Sequence, residues 1–515
     1  MWYFALAFAS EPPTLPTGAG VGAGPALATP PAAAAPPITG APPGQPVGST
    51  GLSVSGELRE NVGIYPNVPV DAEGLATGQS FAADQRLRLG LSYSWEHARL
   101  GTEWDLFKGQ FAGDTWQIPG AADARHRERL SLGSPESFVP RRLAATVTLA
   151  PVQVVAGLQT SMWGLGMVAN DGAQDTDFGR SDFGDRVLRL RVSTKPAPDS
   201  PLTFLLAGDR VLDDDSASWA AGQVAWQGVG GALYQSPDRD TVGLYGVFRD
   251  QTEADGLRRT TVGVVDAYTE LHLGEPRDGG GFSVGAEAAG VTGVTSRSKS
   301  YNARSGLKVR SAGATGYVRG TLPGGRYSLT LRGGWASGDG DPDDDQSNDF
   351  TFDRDFEVGM VMFDEVTGAV EARAYSQLTD PQYAGDPPDG VDALVSEGAF
   401  RRASFGMPVL AAKPLDWLSL KAGVLVAWPT APVAQPFYTY RNGGVPTNQV
   451  GAATVGGSLG TEVDWSLSLG DQEVTLGTAR LRPAIVVQGG HLMPGADLGV
   501  EDTLHEFMIT ARARW

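Results

Sequence analysis

The stretch RLRLGLSYSW, residues 86–95, decides the fold. Leu87, Leu89, Leu91, Tyr93 and Trp95 take alternate positions, and Arg86, Arg88, Ser92 and Ser94 lie between them. Successive side chains of a β-strand point to opposite faces, so a period of two gives the strand one apolar and one polar face. The same alternation recurs in VLRLRV (187–192), VDWSLSLG (463–470) and FMITARARW (507–515).

Working outward, alternation places strands at 51–64, 84–96, 98–110, 141–150, 152–168, 185–195, 202–212, 219–235, 241–250, 260–274, 281–295, 308–321, 326–337, 396–412, 417–428, 456–470, 474–488 and 504–515. Every second connection is tight: HA, PV, KPAPDSP, SPDRD, EPRDGG, PGG, KPLD and DQE. The others are mostly long and acidic, the longest spanning residues 338–395. About 18 strands with strictly alternating short and long connections predict an all-β chain: one transmembrane, antiparallel, up-and-down β-barrel in a bacterial outer membrane, with its short turns in the periplasm. The strands exceed the roughly 9–11 residues that cross a bilayer at a tilt. A soluble sandwich or propeller would keep its outward face polar, whereas here the apolar face continues from strand to strand.

Composition narrows the function. The 515 residues carry 59 acidic and 40 basic side chains, a formal charge of −19, and no cysteine. That balance excludes nucleic acid as a partner, and the lack of cysteine excludes disulfides and thiol chemistry. Because the acids collect in the long connections, the outer surface suits bridging by divalent cations to lipopolysaccharide around the lipid bilayer. No apolar run reaches the length of a membrane-spanning helix. Residues 1–9 end in Ala7-Phe8-Ala9, as at a secretory cleavage site, but lack a basic start, and read as a signal-peptide remnant. Residues 10–50 are rich in Pro, Ala and Gly, a periplasmic linker that could also receive a periplasmic partner. The barrel occupies 51–515.

With the apolar face toward lipid, the other parity faces the lumen. Arg59, Arg86, Arg88, Arg480, Arg482, Arg512 and Arg514 then share one wall, because the last strand must pair with the first. Arg189, Arg191 and Arg332 point inward elsewhere, and the inward acids are Glu103, Asp105, Asp266, Glu270, Glu287, Glu462 and Asp464. Two readings stay open: charge ladders that brace a water-filled lumen, or an anion path. Arginine suits the second because it stays charged and forks onto carboxylate or phosphate.

In the longest connection Asp339, Asp341, Asp343 and Asp345 alternate, as oxygen ligands of a Ca²⁺ ion could; a solvated acidic loop is the competing reading, and no other cofactor is expected. Residues 358–378 carry apolar side chains at helical spacing, fitting either a gate folded into the lumen or an external lid. The five histidines (His97, His126, His272, His491 and His505) include no HExxH pair, so no enzyme is expected.

WASGDGDPDDDQSNDFTFDRDF, residues 335–356, resembles a segment of the alginate-export family of outer-membrane barrels, in which a strand ends in Ala-Ser-Gly-Asp ahead of an acidic stretch and a Phe-Asp pair. The resemblance implies an 18-stranded barrel with an electropositive lumen, gated by loops and passing an anionic polysaccharide. It covers one strand and its loop and departs at Arg354-Asp355. SMWGLGMVANDG (161–172) with DFGDRV (182–187) is similar to segments of uncharacterised proteobacterial barrels, which implies an outer loop with Trp163 and Asn170 near the rim. The terminal Trp515 resembles the aromatic signature that such barrels present to their assembly machinery. Three functions follow as expectations: a monomeric channel for anionic solutes or polysaccharide gated by 338–395, a general diffusion porin for small polar solutes, or a structural barrel anchoring an envelope motility or secretion assembly.

Overall fold

The computed structural model describes residues 50–515 apart from 79, 121–129, 131–136, 238, 274–279, 299–305, 342–343, 385–395 and 478. The expectations for residues 1–9 and for nearly all of 10–50 lie outside the described residues.

Eighteen strands form the wall: β1 (Gly51–Tyr65), β2 (Ser80–Ser94), β3 (Ala98–Gly113), β4 (Phe138–Leu149), β5 (Val152–Thr160), β6 (Arg186–Thr194), β7 (Leu202–Asp213), β8 (Val224–Gln235), β9 (Thr241–Thr252), β10 (Arg259–Leu273), β11 (Gly281–Thr295), β12 (Leu307–Thr321), β13 (Tyr327–Ala336), β14 (Ala403–Leu415), β15 (Leu418–Pro429), β16 (Gly460–Gly470), β17 (Ala479–Pro494) and β18 (Leu504–Arg514). Each pairs antiparallel with the next, and β18 returns to β1 from Glu57↔Arg514 to Ile64↔Phe507, so the barrel closes. Closure leaves no strand edge, which is what hydrocarbon surroundings require of a β-structure. Two short strands lie outside the wall: Gln346–Ser347 runs parallel to β12, and Val474–Leu476 forms a hairpin with β17.

The two faces of the wall are inverted relative to a soluble protein. Leu52, Val54, Leu58, Val62 and Ile64 of β1, Leu188 and Leu190 of β6, and Leu244 and Phe248 of β9 stand exposed on the outside. Arg86, Arg88, Asp105, Arg189, Asp266, Glu287, Glu462 and Asp464 are buried inside. An apolar exterior over a charged interior is stable only with lipid outside. The chain is an outer-membrane β-barrel.

The lumen departs from a plain water-filled pore. Phe178, Phe352, Val361, Met362, Phe363, Val366 and Phe400 form an apolar core with Met407, Leu425, Leu492 and Met508 of the wall. Ten of the thirty buried residues of that core come from the described part of 337–402, which turns inward. Its helical part is one π-type turn, Met362–Thr367, continuing as α1, Gly368–Thr379, and a single further turn, Pro381–Ala384. The helical spacing of 358–378 is therefore realised, and the lumen position holds rather than the external lid.

Strand count and order follow the alternation; several ends do not. The expected strand 152–168 stops at Thr160, because Gly164 and Gly166 take φ of +56° and +85° and bend the chain into the barrel. The strand expected at 396–412 starts only at Ala403, since residues 396–402 belong to the inner core. The strand expected at 474–488 splits at the turn after Leu476.

Candidate functional site

Closure of β18 onto β1 assembles most of the expected arginine wall. Arg86, Arg59 and Arg512 lie in one register row across β2, β1 and β18; Arg88, Glu57, Arg514 and Arg482 lie in the next row toward the short-turn end. Arg480 and Arg482 fall outside the packed region. Arg480 is exposed in the hairpin, 3.6 Å from Glu473, and Arg482 is exposed at the short-turn end. Arg189 forks onto Asp209 of β7 at 2.7 Å, Arg191 is buried on the same strand, and Arg332 stands on β13.

The wall is not a bare cationic strip, which corrects the electropositive expectation. Arg88 forks onto Asp105 at 2.7 and 3.0 Å, Arg86 binds Glu57 at 2.7 Å and Asp182 at 3.1 Å, and Arg59 pairs with Asp182. Arg512 and Arg514 reach Asp175 at 3.0 and 2.5 Å. Asp175 and Asp182 belong to residues 161–185, between β5 and β6.

That segment crosses the lumen and does not stay at the rim, so Trp163 and Asn170 are both buried. Trp163 stacks on Tyr245 of β9 at 4.8 Å, and its Nε1 donates to Asp266 of β10 at 2.8 Å. The Leu165 N–H donates to Glu287 of β11. Asn170 N–H donates to Asp353 at 2.9 Å, while the Asp355 carboxylate accepts the N–H groups of Asp182, Phe183 and Gly184 at 2.7, 3.0 and 2.5 Å. Gly184 has φ +67°, and a Cβ there would stand 2.3 Å from the Asp171 carbonyl oxygen, so glycine is required. Asp353, of the Phe-Asp pair quoted in the sequence, and Asp355, where the resemblance departs, thus clamp the two infolded segments together.

Between this segment and β1–β4 lies a chamber of about 280 Å³. Arg59, Arg86, Lys108, Arg141, Arg180 and Arg186 line it, against Asp84, Asp105, Asp182 and Asp213, an excess of two cations. Lys108 donates to the Asp182 carbonyl oxygen at 2.9 Å, and Arg180 to Asp84 at 2.6 Å. The sequence reading missed Lys108, Arg141 and Arg180. Arg141 shares the parity of the lipid-facing Leu143, Val147 and Leu149 and turns inward only through the bulge opposite Glu103 and Trp104, so alternation hides it; Arg180 lies in a loop without a period.

Residues 360–362 of the segment 337–402 are pinned from β16. Glu462 of β16 accepts the N–H groups of Met360, Val361 and Met362 at 2.6, 2.8 and 2.7 Å. Within the segment, burial pushes Asp364 up to about 7, and burial together with the facing Asp364 carboxyl pushes Glu357 well above the usual carboxylate range. A carboxyl that holds its proton more tightly when packed stabilises packing fully below its ordinary value of 3.8, and that contribution is lost as pH rises through about 7. Asp175 and Asp177 behave oppositely: burial raises them, but Arg514 and Arg512, and Lys421 and Arg332, outweigh it and hold both at about 2. Their anchoring persists at neutral pH and fades only in strong acid. Conductance in a planar bilayer should therefore rise between pH 5 and 8, and Asp364→Asn should flatten the profile; a flat wild-type profile would refute the assignment.

Of the alternating aspartates, the described ones have partners within the protein. Asp345 pairs with Lys308 at 2.7 Å, Asp339 accepts the Asp341 N–H at 3.2 Å, and Asp343 lies outside the described residues. Among the described residues no group of three or more His, Cys, Asp or Glu could hold a metal. His491 stands on β17, facing His505 of β18 on the barrel exterior; His126 lies outside the described residues. Ser458, in a G-x-S-x-G spacing at 456–460, only accepts the Gly460 N–H. Trp515 continues the β18 ladder onto Gly56, its N–H and C=O both at 3.0 Å.

No protein-family model and no curated protein match the chain. Solved structures with a similar fold include OccAB1 of Acinetobacter baumannii (TM-score 0.49, 11% identity, 90% of this chain and 96% of that one). They also include the outer membrane protein OprD of Pseudomonas aeruginosa (0.48, 10%, 90% and 94%) and OccK2 (OpdF) of the same organism in complex with glucuronate (0.45, 12%, 90% and 96%). The expected likeness to the alginate-export family is corrected: the solved structures of similar fold are OprD and Occ outer-membrane proteins.

Proposed function

We propose that the barrel is an outer-membrane channel for small anionic solutes, made selective by two infolded segments rather than left open as a wide diffusion pore. The observation that carries this reading is the 280 Å³ chamber with six cationic and four acidic side chains. A low-dielectric wall concentrates the field of such an excess and raises the local concentration of the opposite charge. The chamber's size suits a small solute better than a polymer. Residues 350–379 act as the gate, because a packed apolar plug in the lumen must shift for a wide path to open.

The reversal potential of the purified barrel in a planar bilayer under a KCl gradient tests this. Anion-selective current is expected, with selectivity reduced at least twofold by Lys108→Ala combined with Arg180→Ala. Cation-selective current, or selectivity indifferent to both changes, would overturn the reading.

A further inference from the structure

The crossing segment 161–185 reaches beyond the chamber toward the short-turn end. There it presents Asp175 and Asp177, two residues apart, to two separate cationic pairs on the wall. Asp175 Oδ1 lies 3.0 Å from Arg512 Nη1 and 2.5 Å from Arg514 Nη2, and its Oδ2 lies 2.9 Å from Arg514 Nη1. Asp177 Oδ1 lies 2.7 Å from Lys421 Nζ, and its Oδ2 lies 3.6 Å from Arg332 Nη1. The two sets of cations stand on β18 and on β13 and β15, so this acidic tip bridges cations three to five strands apart on the wall.

We propose that Asp175 and Asp177 are a built-in competitor, occupying the cationic pairs Arg512/Arg514 and Arg332/Lys421 that a passing anion must use. The inference rests on the anion-channel reading above and adds a residue-level determinant of its selectivity. Three observations support it. The Asp175 side chain is 56% exposed, so water and solute reach the contact and it can exchange. The wall cations are held by the wall as well: Glu57 stays 2.7 Å from Arg514, and Asp471 lies 3.6 Å from Arg512, so the cationic sites persist when the tip leaves. The tip itself is joined to the rest of its segment through Gly172 and Gly179, at φ of +61° and +69°, which bracket it with two turns.

A tethered group competes at an effective concentration on the order of millimolar. A monovalent anion that meets one cationic pair at a time displaces it poorly. A divalent anion, whose two charges replace two carboxylate contacts in succession, displaces it well. The tip therefore filters for multiply charged anions over chloride and keeps the path closed to leak in their absence.

The test uses the full-length barrel in a planar bilayer, comparing wild type with the isosteric double variant Asp175→Asn/Asp177→Asn. Anion-over-cation permeability in KCl is measured first, then the sulfate concentration that halves the chloride current. The variant should raise the permeability ratio threefold or more and lower the half-blocking sulfate concentration at least fivefold. The charge-preserving Asp175→Glu should stay close to wild type, which separates loss of charge from loss of folding. An anion-selective wild type with an unchanged double variant would overturn the competitor while leaving the channel reading intact. If neither form prefers anions, the channel reading falls and the competitor with it.

Discussion

Glu462→Ala is expected to release residues 358–379 from the lumen and raise single-channel conductance several-fold. Glu462 is the acceptor for three consecutive buried N–H groups, those of Met360, Val361 and Met362. These donors begin the π-type turn at Met362, where no side chain of the segment itself caps the N–H groups. A hydrogen bond to a charged acceptor contributes about 1.5–3 kcal/mol, and a buried donor left unsatisfied costs about 1–3 kcal/mol. Against this stands some relief, because Asp464 lies two residues along on the same inward face and no longer faces a neighbouring carboxyl. Three lost contacts outweigh one relieved repulsion, so the net loss of packing should be about 3–5 kcal/mol. Glu462→Gln keeps one oxygen acceptor and should fall between wild type and alanine. Conductance and protease sensitivity around 358–379 measure the effect. If both are unchanged in the alanine variant, Glu462 is not the pin.

The barrel was legible because two independent regularities coincide in the sequence. Alternation in segments such as 86–95 and 507–515 sets which face meets lipid, and the lipid-facing requirement is strong enough to leave few exceptions. The alternation of turn lengths sets the direction of each strand. Closure follows from the even count, and with it the adjacency of Arg59, Arg86 and Arg512.

What fills the barrel was not legible to the same degree. The alternation of SMWGLGMV passes as strand, and only the left-handed backbone of Gly164 and Gly166 ends it at Thr160. Periodicity has no term for such a turn when the flanking residues still alternate. The partners of the arginines are remote in sequence: Asp182 is 96 residues from Arg86, and Asp175 is 337 from Arg512. A one-dimensional pattern lists charges, but pairing is decided by which loop enters the lumen. The wall and the bracing acid Asp105 were therefore foreseen, and the loop carboxylates Asp175 and Asp182 were not. In the acidic tract spacing likewise lists charges without their partners: Asp345 turns to Lys308 and Asp339 to the backbone of its own loop.

Asp355 joins the two infolded segments, and Asp355→Ala should unfasten the crossing one. The carboxylate gathers the N–H groups of Asp182, Phe183 and Gly184, a run of three donors that no strand partner could satisfy inside the lumen. It thereby fixes Asp182, whose own carboxylate stands against Arg59 and Arg86. Its removal has two separable consequences. The segment loses about 2–5 kcal/mol of anchoring, by the cost of buried donors without an acceptor. Arg59 and Arg86 lose a positioned counter-charge, so the chamber becomes more cationic without any change in the arginines. Conductance and anion preference should therefore rise together, whereas Glu462→Ala, acting on the other segment, should raise conductance with little change in selectivity. Asp355→Asn retains the oxygen that serves Asp182 and Phe183 and should give a smaller shift of the same sign. A reversal potential that matches wild type in the alanine variant, in a barrel whose thermal unfolding is also unchanged, would show that the crossing segment is held by Trp163, Leu165 and the arginines alone.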